Sequence, residues 1–469
     1  MHATFRVITI LAAAVLLLST AIPGEAASGA SFGSPVQVTP DPGKGYEPSM
    51  VVDKFGNIFA TAHKENWQLI LGPDPNSPTY TRSMSWAWTS VDGGKTFTNI
   101  PGLTQLSIEQ HEFGDEGDMA LDDANHLYFV DTNVADDTIT RWNVTDRGIQ
   151  YMTIDYTRPL IPTMQLVDDR PWVTAHGDGQ VFYLGNEGDK LTYPLGEGTG
   201  SGFGPGRYTV YASHDGGLTF DNFGYTLRDS GWCRPAADHR PGSRNIAVVC
   251  GNDGGSNDVF TPNNPKGSLY AYISTNDGQS FERYNVGTYE ALDSTWSWPT
   301  VSYSPDGTIW ALYVDAGQLD PNTCGTDPFG FTQCDPTSNR IMLYRSNDNG
   351  KTWKGQNITP MLGRYRYGWL AVSKDGKRLG LGVYYKPADD ITPWRVYGAI
   401  WSPGQKPVLV SLAQSAPVAS ATSEPPGDYM NAFFNPDGTL NVLWTRTDPP
   451  LAGVATISRT IFFARSTTK

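Results

Sequence analysis

Apolar positions along this chain recur mostly with a period of two, in short runs broken by turn residues. One pattern returns seven times: an apolar strand, a tight turn of Asp, Asn and Gly, then a second apolar strand. The copies are EPSMVVDKFGNIFATA from Glu47, GDMALDDANHLYFVDT from Gly117 and DRPWVTAHGDGQVFYLG from Asp169. A longer, irregular copy runs from Cys233 to Cys250. The last three are SWPTVSYSPDGTIWALYV from Ser297, YGWLAVSKDGKRLGLGVYY from Tyr367 and DYMNAFFNPDGTLNVLWTR from Asp428. Such alternation around turn chemistry predicts β-hairpins. Helical periodicity is almost absent.

A second repeat lies between these hairpins. SVDGGKTF (Ser90–Phe97) returns as SHDGGLTF (Ser213–Phe220), STNDGQSF (Ser274–Phe281) and SNDNGKTW (Ser346–Trp353), with a weaker copy in VTDRGIQY (Val144–Tyr151). An Asp carboxylate can accept hydrogen bonds from backbone N–H groups just ahead of it, and Gly tolerates the positive φ of tight turns. Asp92, Asp215, Asn276 and Asp348 are therefore read as turn braces. Extended runs flank each octet.

Each period thus holds four strands, and four-stranded units repeated radially make a β-propeller. The expectation is an all-β, seven-bladed propeller of antiparallel blades. A six-bladed ring is the alternative, with the irregular fourth copy as a decoration. The chain stops at FFARSTTK, where an octet would begin, and FGSPVQVTP near its start resembles the extended run after an octet. A strand over Ser34–Thr39 should complete the last blade from outside and leave no open seam.

Composition adds a compartment. Arg6, an apolar run from Ile8 to Leu18, and small residues at Gly24, Ala26 and Ala27 read as a signal peptide over residues 1–27. The propeller then occupies residues 28–469, secreted and monomeric, with no second apolar stretch to hold it in a membrane. The net charge of −14 argues against a nucleic-acid partner. Cys233, Cys250, Cys324 and Cys334 allow three pairings. The two close pairs, Cys233–Cys250 and Cys324–Cys334, are the natural ones in an exported chain.

The octets resemble the Asp-box, S-x-D-x-G-x-T-[WF], of sialidases and related propellers. With the inner hairpins the resemblance covers nearly the whole chain after the leader. It implies that the octets brace outer hairpins away from any active site, and that the protein handles extracellular glycans. Tyr46, before Pro48, stands where the family carries its first arginine. Trp298 stands before Pro299 where the family often has Glu. Tyr429, ahead of NPDG, resembles the family's nucleophilic tyrosine.

In a propeller, residues at the start of each inner strand face one mouth of the central channel. Here they are Tyr46 and Glu47; Asp115, Glu116 and Asp118; Asp168, Asp169 and Arg170; Arg234; Trp296 and Trp298; Arg364, Arg366 and Trp369; Asp428 and Tyr429. Aromatic faces with planar polar groups suit sugar recognition. Glu47, Glu116, Asp118 and Tyr429 are the candidate catalytic groups. Arg170, Arg234, Arg366, Trp296, Trp298 and Trp369 are the candidate substrate contacts.

A glycoside hydrolase, a non-catalytic carbohydrate- or protein-binding propeller and a polysaccharide lyase all fit this set. No cofactor is expected. HEFGDEGD (His111–Asp118) lacks the second His of HExxH, and GNDGGSND (Gly251–Asp258) leaves a structural Ca²⁺ open without EF-hand spacing.

Overall fold

The structure is a computed structural model. It describes residues 30–39, 45–63, 85–100, 116–132, 137–159, 171–187, 207–221, 224–227, 232–252, 266–290, 298–319, 325–326, 332–333, 336–389, 391–412, 417–420, 425, 427, 429–448 and 458–467. Seven four-stranded antiparallel sheets follow one another along the chain. Their first strands are Tyr46–Val52, Glu116–Leu121, Trp172–His176, Trp232–Ala237, Thr300–Tyr303, Arg364–Val372 and Asn431–Phe434. Each touches the first strand of the next sheet, and the last touches the first, so they form a closed inner ring. This is a seven-bladed β-propeller, with blades numbered here in that order.

The expected closure is present. Blade 7 takes its outermost strand, Val36–Gln37, from the other end of the chain, with Val36 opposite Phe463 and Gln37 opposite Phe462. Further hydrogen bonds join Gly33 to Arg465 and Thr467 to Ser31. The pairing is shorter than the Ser34–Thr39 strand read from sequence, and in the same place.

The six-bladed alternative is wrong. The irregular fourth copy is a regular inner hairpin, Trp232–Ala237 against Ile246–Asn252, with Cys233 opposite Cys250 and a disulfide joining them. Its extra length is all in the turn. There the Asp238 carboxylate accepts hydrogen bonds from the Arg240 N–H (3.1 Å), the Ser243 hydroxyl (2.6 Å) and the Asn245 amide (3.3 Å). Cys324 and Cys334 lie outside the described residues.

The octets are turns braced from within. Asp92 Oδ1 accepts the N–H groups of Lys95 and Thr96, and Oδ2 accepts the Thr96 hydroxyl at 2.6 Å. Ser90 donates to Asp92 and accepts the Gly94 N–H. Asp215 and Asp348 repeat the serine, glycine and threonine bonds. Asn276 does so with its amide, accepting from the Ser280 N–H and donating to the Ser280 hydroxyl. The weaker copy at Val144–Tyr151 makes a two-residue hairpin instead, with Thr145 opposite Gly148.

The fifth octet position also joins blades. Gly94 of blade 1 (φ +87°) lies under the Phe463 ring of blade 7. Gly278 of blade 4 (φ +77°) meets Phe182 of blade 3, and Gly350 of blade 5 (φ +82°) meets Ile273 of blade 4. A Cβ at Gly94 would overlap the Phe463 ring and hold an L-residue at positive φ. Gly94→Ala should destabilise the fold by about 2–4 kcal/mol, combining overpacking with backbone strain; a denaturant titration measures it.

Hydrogen bonds to the ionised form hold the Asp348 carboxyl at about 2, below its usual 3.8, the Thr352 hydroxyl and N–H contributing most. A depressed carboxylate pKa adds stability that is complete above pH 3.8 and lost as pH falls toward 2. Asp348→Asn, which copies the third octet without an ionised carboxylate, should lower the neutral-pH melting temperature and approach that of the parent near pH 2. It should also flatten its fall between pH 4 and pH 2, followed by thermal scans across that range.

Candidate active site

The inner strands begin at the same end of the channel, since the turns that end them meet across neighbouring blades: Ala124 with Gly177, Arg240 with Asp306, and Arg378 with Gly438. At that end Arg234 of blade 4 is almost wholly buried. Its guanidinium carbon lies 3.0 Å from the ring centre of Trp172 (blade 3), 4.0 Å from that of Trp369 (blade 6) and 4.9 Å from that of Tyr429 (entering blade 7). The rings continue as a network. Trp172 meets Tyr429 edge-on at 4.9 Å and Trp298 at 5.4 Å, and Trp298 meets Trp232 at 4.8 Å. An arginine is weakly hydrated and planar, so it tolerates such a setting better than lysine would.

Asp118 of blade 2 supplies a negative charge to the same region. Its carboxylate accepts hydrogen bonds from the Ser49 hydroxyl of blade 1 and from the Val173 N–H of blade 3 at 2.9 Å. Burial pushes its pKa up, opposed by the Arg234 charge and by these hydrogen bonds. Asp118 therefore ties three consecutive inner strands together. Glu47 is also buried, and its Oε2 lies 3.1 Å from His63 Nε2 on the neighbouring strand. The Tyr46 ring packs on His63 at 4.6 Å, with the Arg459 guanidinium 4.3 Å from the Tyr46 ring centre.

Two inner strands carry the same irregularity. In blade 1 the pairing jumps from Tyr46↔His63 to Ser49↔Thr61; in blade 6 it jumps from Arg366↔Tyr384 to Trp369↔Gly382. Each jump is a one-residue bulge, and each puts a bulky residue at positive φ: Glu47 and Tyr367, both at 52°. Such values are outliers for large side chains. Bulges re-aim side chains and gather beside active sites. Blades 6 and 1 flank blade 7, so both strained residues border the strand that Tyr429 leads into.

Of the residues named from sequence, Glu47, Asp118, Arg234, Trp298, Trp369 and Tyr429 are brought to this end of the channel, and buried Arg366 adjoins the blade 6 bulge. Glu116 opens the inner strand of blade 2. Asp115, Asp168, Asp169, Arg170, Trp296 and Asp428 lie outside the described residues. Sequence reading missed Trp172, Ser49, His63 and Tyr367. Trp172 follows Pro171 as Trp298 precedes Pro299, a weak cue; nothing local announces a bulge.

Among the described residues, one trio has metal-type ligands close together, Asp122, His126 and Asp178 at the opposite channel end. The Asp122 oxygens already accept the N–H and ring N–H of His126, the Tyr128 hydroxyl and the Gly179 N–H, which makes this a braced turn.

Ring and braced octets together make the chain a seven-bladed propeller with hydrogen-bonded outer turns. No protein-family profile matches its sequence, and no curated protein matches it. Solved structures of similar fold include a protein of unknown function from Dyadobacter fermentans. It is 14% identical over 94% of this chain and 100% of that one, with a TM-score of 0.48. An α-L-arabinofuranosidase from Fusarium graminearum is 12% identical over 92% and 97%, TM-score 0.44. A sialidase from Streptococcus pneumoniae is 10% identical over 93% and 70%, TM-score 0.42. At these identities and TM-scores none of the three bears on activity.

Truncating Arg234 would remove the cation from its aromatic surround and leave Asp118 buried without its neighbouring charge. Arg234→Ala should destabilise the protein by about 3–5 kcal/mol. Its near-ultraviolet circular dichroism should change with it, because the rings that contact Arg234 lose their fixed geometry.

Proposed function

We propose that this protein is a secreted, glycan-directed propeller, that its ligand seats over the channel mouth between blades 6, 7 and 1, and that it hydrolyses glycosidic bonds there. The observation that carries this reading is the pair of matched bulges. Backbone strain of about 1–3 kcal/mol per residue persists where the surroundings impose it, and such outliers cluster at functional sites. Here two of them border one strand entrance, beside an arginine set among aromatic rings.

In this reading Glu47, held against His63, gives a proton to the leaving glycosidic oxygen as Tyr429 attacks the anomeric carbon, and then takes a proton from the water that breaks the tyrosyl–sugar bond. Tyr429 is the nucleophile. Its ring lies against Arg234, which fixes its place at the mouth. Trp369, the partly exposed member of the aromatic group, offers a face to the apolar side of a sugar. Asp118 holds the inner strands in place, and Arg234 and Arg366 set the positive field of the mouth.

A second reading, carbohydrate binding without cleavage, is favoured by the burial of the catalytic candidates: Glu47 is 4% exposed and Tyr429 2%. A glycan array combined with a hydrolase substrate panel tests both. On a cleaved substrate, Glu47→Gln should lower kcat by about 100-fold or more with KM little changed, the pattern of a lost proton-transfer group. Array binding without turnover would select the second reading, and a blank result in both assays would end the glycan assignment.

A further inference from the structure

At the channel end opposite the mouth, three consecutive blades bring a compact set of titratable groups together. His176 ends the inner strand of blade 3 and is 4% exposed. Its ring stacks flat on Phe182, with centroids 5.5 Å apart and planes 6° from parallel. Its Nε2 faces Oδ1 of Asp277, in the octet turn of blade 4, at 3.5 Å. Neither atom has a hydrogen-bond partner, although both are buried. The other Asp277 oxygen accepts from Arg244 Nε at 2.5 Å, and Asp277 sits at φ +57°.

The remaining charged groups around His176 come from two more turns. Blade 4 contributes Asp238, with its own partner Arg240, and His239. Blade 2 contributes Asp123, which pairs with His239 Nδ1 at 2.9 Å and accepts the Gly177 N–H at 2.6 Å. The turn just after His176 adds Asp178, which lies 3.6 Å from His126.

We propose that His176 is an acid-sensitive catch between blades 3 and 4. At neutral pH its uncharged ring lies flat in the joint. Proton uptake places a charge in a buried slot beside His239, which opposes the added charge. The carboxylates of Asp277, Asp123 and Asp238 offset that charge incompletely.

Burial is the largest influence on His176 and lowers its pKa below the ordinary 6.5, with Asp277 acting in the opposite sense. A histidine with a depressed folded-state pKa contributes stability that is complete above pH 6.5. That contribution is lost as pH falls through the folded value, because the opened form takes the proton first. Acid therefore favours opening of this joint, by up to about tenfold per pH unit between the two proton affinities.

Hydrogen exchange read by mass spectrometry, corrected for intrinsic exchange rates, tests this on the whole chain. Between pH 7 and pH 5, peptides covering Trp172–His176 and the turn at 275–281 should open several-fold more often, and those of blades 6 and 7 should not. In His176→Gln that acid response should vanish. In His239→Gln, which removes a like charge opposing protonation, the acid response should shrink, because the folded proton affinity rises toward that of the opened form. A joint that opens equally at both pH values, or a His176→Gln protein that keeps the wild-type response, overturns the proposal. An undiminished acid response in His239→Gln overturns it too, should His176→Gln fail to fold. The readout involves no glycan, so it stands or falls apart from the assignment of the mouth.

Discussion

The structure depends on one packing constraint: seven sheets must bury both faces against their neighbours and still close into a ring. The first and last blades meet on the same terms as any other pair. Phe463 of blade 7 covers Gly94 of blade 1, as Phe182 covers Gly278 and Ile273 covers Gly350. A glycine at that octet position does two jobs. It accepts the positive φ of the turn, and it leaves a bare backbone surface for the preceding blade to lie on. Val36–Gln37 then pairs with the last strand, so segments near the start and the end of the chain share blade 7.

Closure of the ring creates the chemistry at its centre. Inner strands that converge on a narrow channel force polar side chains at their starts out of water, and buried charges must find partners. Asp118 answers with bonds to blades 1 and 3. Arg234 answers by lying against rings from blades 3, 6 and 7 with Asp118 nearby. The same groups that hold the ring together therefore form the floor of the candidate site. Among the described inner strands, a one-residue bulge in blades 1 and 6 turns Glu47 and Tyr367 out of the regular pleat at positive φ.

The fold was largely legible because its signals are local. Period-two hairpins, Asp-braced octets and matching chain ends each occupy fewer than twenty residues, and the structure has each of them. The fourth blade was ambiguous because an eight-residue turn, Asp238–Asn245, interrupts its pattern; only the pairing of Cys233 with Cys250 shows that the strands themselves are regular. The site was legible in part. Position at a strand start picked out Glu47, Asp118, Arg234 and Tyr429. It did not reveal Trp172 and His63, whose roles come from contacts with residues distant along the chain or across a hairpin.

By itself the sequence determined the strand content, the turn chemistry, the sevenfold repeat and the means of closing it, since alternation and turn residues act over a few neighbouring positions. Tertiary structure alone decided that Arg234 reaches aromatic rings on three other blades, that Asp118 ties strands rather than standing open, and that Glu47 and Tyr367 share one strained geometry. Those outcomes arise where segments separated by tens to hundreds of residues meet at a common axis. A bulge is a mismatch between two strands, and a cage is an agreement among several. Neither is a property of any one stretch of chain.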